Sequence, residues 1–212
     1  MENRQKEQYG KEKSAALLQA LYEAVGIPKS PAGDRFRTLG SIESYAKGEQ
    51  LPLYRNGRPF LYMLLGGCTC CEAATPDGRG ILECIAYKPH SAVNPVGMFT
   101  NSWKGERCMC LADSAFAVFP LDEVTALMQR DIGLMGIYSE CLRQALHEQV
   151  RHKYVLTLHA DERYRWFMET YGTIAEQIPQ RTVAQFLNID PATLSRIRKA
   201  LYFTGEKERS RS

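Results

Sequence analysis

Residues Gln180 to Leu201 read QRTVAQFLNIDPATLSRIRKAL. Val183, Leu187, Ile189, Leu194 and Ile197 stand at spacings that bury one side of two short helices meeting at a sharp turn. Ala184 is small where the second helix crosses the first. Asn188 falls where the turn needs a left-handed backbone, which Asn tolerates and Gly adopts more often. Asp190 offers an N-cap oxygen, and Pro191 takes the first helical position, where a missing N–H costs nothing. The uncovered side of the second helix carries Thr193, Ser195, Arg196, Arg198 and Lys199. An ordinary helical hairpin shares the apolar spacing. The cap, the small residue, the turn residue and the basic face together describe a helix-turn-helix whose second helix enters a DNA major groove.

The stretch before it is helical in texture. DERYRWFMETYG, from Asp161, supplies Tyr164, Phe167, Met168 and Tyr171 to a core, and Gly172 closes it. Asp131 to about Leu158 predicts one long proline-free helix after a short one over 121–128. On the long helix Ile132, Met135, Tyr138, Leu142, Ala145, Gln149 and His152 form an apolar stripe flanked by Leu134, Cys141 and Leu146. Its width favours a dimer seam over simple packing on a neighbouring domain. His147 and His152 read as solvated or in that seam.

Between Phe36 and Pro120 short apolar runs alternate with turn residues. Strands are expected at Leu51–Tyr54, Phe60–Leu65, Cys68–Ala73, Ile81–Tyr87, Val96–Thr100, Arg107–Leu111 and Ala115–Phe119. Asn56-Gly57, Gly66-Gly67, Pro76-Asp77-Gly78 and Lys104-Gly105 are the turns between them. Such a succession predicts an antiparallel jelly roll whose interior is a natural ligand pocket. Residues 1–13 read as a frayed charged arm. Ser14 to Val25 reads as a helix presenting Leu17, Leu18, Leu21 and Val25, and Lys29 to Asp34 as a loop. The expected class is α+β: an arm and helix (1–35), a β-roll sensor (36–120), a short and a long helix (121–159) and a helix-turn-helix domain (160–212).

The net charge of +3 is too small to argue for nucleic acid by itself, but Arg181, Arg196, Arg198, Lys199, Lys207, Arg209 and Arg211 crowd the C-terminal end. No apolar run approaches the ~20 residues of a membrane span, and the polar N-terminus lacks a signal-peptide core, so a cytoplasmic protein is expected. Seven cysteines, an odd number, argue against a full set of structural disulfides.

Taken in order, the chain resembles the cyclic-AMP receptor protein / fumarate–nitrate regulator (Crp/Fnr) family of bacterial transcription factors. In the roll the likeness rests on Lys47-Gly48-Glu49, Asn56-Gly57, Tyr62 through Gly67, Asp77-Gly78, and Asp113-Ser114 running to Phe119-Pro120. In the C-terminal part it rests on ERYRWFMETYG and IPQRTVAQFLNIDPATLSRIRKAL. The resemblance implies a homodimer on a palindromic operator in double-stranded DNA, a small-molecule or redox effector sensed in the roll, and contact with RNA polymerase. Arg196 matches the family position that reads a base edge, where it can grip guanine O6 and N7. Thr193 and Ser195 would reach bases or phosphates, and Gln180, Arg181 and Lys199 phosphates. Pro191 and Ala192 replace the two earlier base-reading residues, so the half-site should differ. Nucleotide-binding members carry a Gly-Glu pair and later an Arg-Ser or Arg-Thr. Here HSAVNPVGMF puts Asn94-Pro95 at the first place, and Arg107 is followed by Cys108, which points away from cyclic AMP. His90, Asn94 and Arg107 are the candidate effector contacts, His90 also a candidate haem or metal ligand. Little chain remains after Leu201 for a hairpin wing.

Cys68-Thr69-Cys70-Cys71 and Cys108-Met109-Cys110 allow three readings. Residues two apart on a strand share a side, so Cys68 with Cys70 and Cys108 with Cys110 could converge on Zn²⁺ or an iron–sulfur cluster, joined by Cys84. They could equally form a thiol switch or pack as small hydrophobes. Cys141 belongs to the core or the seam. Two other functional classes fit less well. A cupin-like metal enzyme needs converging His ligands, and only His90 lies in the roll. A cysteine-rich metal-binding module leaves the helix-turn-helix without a purpose.

Overall fold

The computed structural model describes residues 2–74, 80–93 and 106–209. Helices α1 (Glu2–Val25) and α2 (Pro31–Leu39) precede β1 (Ser41–Tyr45), β2 (Tyr54–Arg55), β3 (Arg58–Gly66) and β4 (Thr69–Ala74). β5 (Gly80–Ala86), β6 (Arg107–Cys110) and β7 (Ser114–Pro120) complete the strands. Helices α3 (Leu121–Met128), α4 (Ile132–Val155), α5 (Ala160–Tyr171), α6 (Gln180–Phe186) and α7 (Pro191–Arg209) follow.

The strands form two antiparallel sheets, ordered β1-β7-β3-β2 and β5-β4-β6. Alternation along β3 and β7 explains their packing. Tyr62, Leu64, Phe116 and Val118 point between the sheets, onto Leu51, Leu53, Cys71, Cys108 and Cys110. Leu61, Met63, Ala117 and Phe119 point the other way, onto Leu21, Tyr22, Phe36, Val124, Leu134 and Tyr138 of the helices. A strand buried on both faces reads as a continuous apolar run, as Phe60 to Leu65 does. The second sheet repeats the arrangement: the far side of β4 and β5 carries Cys70, Leu82 and Ile85 into a third cluster with Tyr164, Phe167, Tyr171, Phe186 and Leu187. The roll therefore has helices on both outer faces.

Most expected strands occur, shifted by a residue or two. Leu51 and Leu53 are buried without forming a strand, and only Tyr54–Arg55 pairs there. The Asn56-Gly57 turn has φ of 51° and 76°, as a tight hairpin between β2 and β3 requires. The expected strand Val96–Thr100 and the turns Pro76-Asp77-Gly78 and Lys104-Gly105 lie outside the described residues.

Three local expectations are corrected. The supposed arm is helical from Glu2, and α1 runs through Ser14 instead of starting there. Leu21 is buried, Leu18 and Val25 pack against it, and Leu17 is exposed. The supposed loop at Lys29–Asp34 is the start of α2, because Ser30 caps it by accepting from the Gly33 amide at 3.1 Å and Pro31 opens it. Ser30 also donates to Asp131, whose carboxylate caps α4 by accepting from the Leu134 amide at 3.0 Å. Two helix N-termini are thus fastened together, and these bonds hold the Asp131 carboxyl below its ordinary range. The β1 strand, absent from the sequence reading, alternates too weakly to stand out: its residues are exposed or half-buried.

Candidate nucleic-acid interface

The turn between α6 and α7 forms as its residues dictate. Val183, Ala184, Leu187, Ile189 and Leu194 are buried, and Ile197 packs on the same cluster. Asn188 has φ 49°, the left-handed value foreseen for it. The Ile189 amide then donates to Ala184 O at 2.9 Å, closing the turn. One Asp190 carboxylate oxygen accepts from the amides of Ala192 (2.9 Å) and Thr193 (3.2 Å), capping α7. A residue missed by the sequence reading completes the geometry. Arg163 of α5 donates from Nη1 to Leu187 O (2.7 Å) and Asn188 O (2.9 Å), and from Nε to Leu158 O (3.1 Å). Its signal was non-local, so no spacing rule could have found it.

Gln180, Arg181, Arg196 and Lys199 are exposed, while Thr193 and Ser195 are half-buried. Arg196 lies along its own helix, donating to Thr193 Oγ1 at 3.2 Å and Ala192 O at 3.4 Å. Gln180, Ser195 and Lys199 meet on the wall of a groove of about 970 Å³ between α5 and α7. Among the described residues the helix continues to Arg209. The six sequence-selected residues thus divide into Arg196 with Thr193, the groove trio, and Arg181 apart.

The candidate effector residues do not gather. His90, at φ 66°, borders a cavity of about 170 Å³ between β5, α4 and the C-terminal helices. Arg107 sits on β6 beside Glu72, at 4.0 Å and well exposed, and Asn94 lies outside the described residues. The space between the sheets is filled by the buried side chains described above. Among the described residues this core stands where a pocket was expected, and the cavity opens beside the edge strand β5. One charged group does enter the roll. Arg55 donates to Glu43 Oε1 at 2.7 Å and to Tyr62 Oη at 2.6 Å, and its guanidinium stacks 4.7 Å from the Phe60 ring. Glu43 pairs with it and is held below its ordinary range by that contact, while the buried Arg55 Nε has no hydrogen-bond partner among the described residues.

The cysteine expectation is corrected by register. Cys71, not Cys70, stands opposite Cys108, while Cys70 faces Met109. A one-residue offset reverses the face, so Cys68 and Cys70 lie under the C-terminal helices and Cys108 and Cys110 inside the roll. Each pair shares a side as expected, but the two pairs point to opposite sides of the sheet. Among the described residues no three His, Cys, Asp or Glu side chains gather closely enough to hold a metal ion. Cys71 and Cys108 are disulfide-bonded, and burial pushes the Cys68 and Cys70 thiols up to about 12. His152 is half-buried against the C-terminal helices. Its ring stacks on Phe186 at 4.0 Å and Trp166 at 5.9 Å, and Nε2 lies 2.8 Å from Phe186 O. Only a nitrogen carrying hydrogen can bond a carbonyl, so Nε2 is protonated, and burial lowers the pKa of the ring.

The two sheets, the long helix and the terminal helix pair have counterparts in solved structures. TTHA1359, a CRP/FNR-family transcriptional regulator from Thermus thermophilus, matches with TM-score 0.56 and 16% identity, over 78% of this chain and 87% of that one. The fold is that of Crp/Fnr regulators. CLP, a c-di-GMP-responsive global regulator from Xanthomonas campestris, shares the fold with TM-score 0.62 and 16% identity, over 82% and 92% of the two chains. FixK2 from Bradyrhizobium japonicum matches with TM-score 0.63 and 15% identity, over 79% and 86%. No protein-family model and no curated protein sequence matches the chain.

Proposed function

We propose that the chain is a homodimeric transcriptional regulator that binds a palindromic DNA operator through α7. The observation that carries this reading is the capped, Arg163-clamped helix pair, which holds Arg196 and its neighbours on an exposed basic face above the buried Leu194. Its union with a Crp/Fnr roll supports the same reading, as do the transcriptional regulators sharing that fold. Arg196 reads a base edge, Thr193 and Ser195 assist, and Gln180, Arg181 and Lys199 set the register on phosphates. Work on DNA implies a cytoplasmic location. Among the described residues no helix is long and apolar enough to cross a membrane.

The dimer forms along α4, on a face different from the stripe first expected. Leu134 and Tyr138 are buried on the roll, and Met135 and Leu142 pack there too. The opposite side leaves Ile132 (92% exposed), Leu146 (45%), Val150 (68%) and Tyr154 (67%) uncovered. On a helical wheel these four fall within one stripe, with Gly136 and Ser139 between them allowing close approach. The effector is not cyclic AMP, since no Arg followed by Ser or Thr comes after Asn94-Pro95 in the roll to hold its phosphate. RNA polymerase is the partner through which operator binding acts.

Enrichment of a random DNA pool on the purified protein tests this reading. The expected product is a palindrome with half-sites about one helical turn apart. Arg196→Ala should abolish the enrichment yet keep weak, salt-sensitive binding. A protein that enriches no sequence, or that sediments as a monomer at every concentration, would sink the reading.

A further inference from the structure

Across the β5-β4-β6 sheet one row consists of cysteines: Cys84 on β5 and Cys108 on β6 both stand opposite Cys71 on β4. Residues directly opposite share a sheet face, and all three pack with the cluster inside the roll. Cys71 and Cys108 are bonded, their Cα atoms 4.1 Å apart. Both are 0% exposed, which closes their sulfurs to a reductant in solution. Cys84 differs. It is partly exposed and lines the cavity of about 170 Å³ between β5, α4 and the C-terminal helices.

We propose that Cys84, Cys71 and Cys108 form a thiol–disulfide exchange site for small cellular thiols and disulfides, with Cys84 as its port. The Cys84 thiolate attacks Cys71 Sγ, breaking the Cys71–Cys108 bond and releasing Cys108 as a thiolate that takes up a proton. An external thiolate then attacks Cys84 Sγ from the cavity, releasing Cys71 and leaving a mixed disulfide on Cys84. A second external thiolate removes that group as the external disulfide and restores the Cys84 thiol. In sum, one protein disulfide and two thiols become two protein thiols and one external disulfide, and the reverse sequence reoxidises the pair. Burial, with help from Glu83, pushes the Cys84 thiol up to about 12, so the first step is slow. The site follows sustained changes in thiol balance, not brief ones. β4 carries Cys70 on its other face, under the C-terminal helices, so opening the bond loosens the support of the DNA-binding domain. That consequence rests on the function proposed above; the exchange does not.

Air-oxidised full-length protein is treated with reduced glutathione, quenched with an alkylating agent and mapped by peptide mass. A Cys71–Cys108 link that opens through a glutathione adduct on Cys84 is the expected result. Cys84→Ser should keep the link and open it roughly ten-fold more slowly or worse. Cys141→Ser, on the same cavity but outside the row, should open at the wild-type rate. Absence of the link, or equal opening rates in wild type and Cys84→Ser, overturns the proposal. Should Cys84→Ser fail to fold, the order of adducts in the wild type decides: Cys84 first supports it, Cys71 or Cys108 first overturns it. DNA affinity measured on the same samples separates the two readings. Affinity that changes as the bond opens supports the coupling, whereas binding in neither state sinks the DNA reading and leaves the exchange standing.

Discussion

Arg163 is a residue whose loss should be felt beyond its own helix. Its guanidinium holds two successive carbonyls, Leu187 O and Asn188 O, inside the α6–α7 turn, and hydrogen bonds from a charged donor each contribute about 1.5–3 kcal/mol. Arg163→Ala should cost about 2 kcal/mol, because water replaces part of what is lost at the exposed Asn188. Arg163→Lys should rescue little of it, since an ammonium lacks the planar fork. Thermal unfolding of the two variants checks this. His152 gives a pH prediction. Its folded pKa lies below the ordinary value, so below about pH 6.5 the unfolded chain takes up a proton that the folded one refuses. Stability is full above that pH and falls as pH drops, levelling off below the folded pKa. Denaturant midpoints between about pH 7.5 and 5 should show a decline that His152→Phe reduces. Asn188, Asp190 and Pro191 were legible because each acts on its immediate neighbours. Arg163 and His152 were not, because each acts on residues more than twenty positions away.

At the scale of the element, α4 shows what periodicity can and cannot say. The helix and its bounds follow from the sequence, and Asp131 caps it as a residue of that type should. The helix is apolar on two sides, however, and only the roll decides which is covered. Phe119 and Leu61 of the sheet claim Leu134 and Tyr138, leaving Leu146, Val150 and Tyr154 exposed on the side where the proposed dimer closes. Val150→Glu should raise the dimer dissociation constant at least roughly ten-fold, as two carboxylates would be pressed into one apolar contact. The same change on the roll side, Tyr138→Glu, should unfold the sensor instead. Analytical ultracentrifugation and circular dichroism distinguish the two. The N-terminal helix was misjudged for a related reason: charge in residues 1–13 says nothing against a helix once Leu21 and Tyr22 anchor its far end.

For the whole molecule, the decisive feature is the cluster shared by Leu82 and Ile85 of the sheet with Tyr171, Phe186 and Leu187 of the C-terminal helices. Gln185 extends the contact, donating to Gly80 O at 3.0 Å, and Tyr87 donates to Thr170 O at 2.7 Å. Ile85→Ala should cost about 2–4 kcal/mol, as a large-to-small change in a packed core does. It should also split one calorimetric transition into two. Most of the strands and the helices from Leu121 onward were readable along the chain, whereas the helical start of α1, the start of α2 and the strand β1 were not. The mutual packing of the elements was not readable either, and the cysteine row shows why: register fixes which thiols meet, and a strand pattern is silent about register. The shared cluster also bears on modular engineering. A cut near residue 160, which looks like a hinge between interchangeable parts, runs through a core. A graft of this terminal domain onto another sensor would have to bring with it the outer face of β4 and β5, or find an apolar surface of the same shape waiting there.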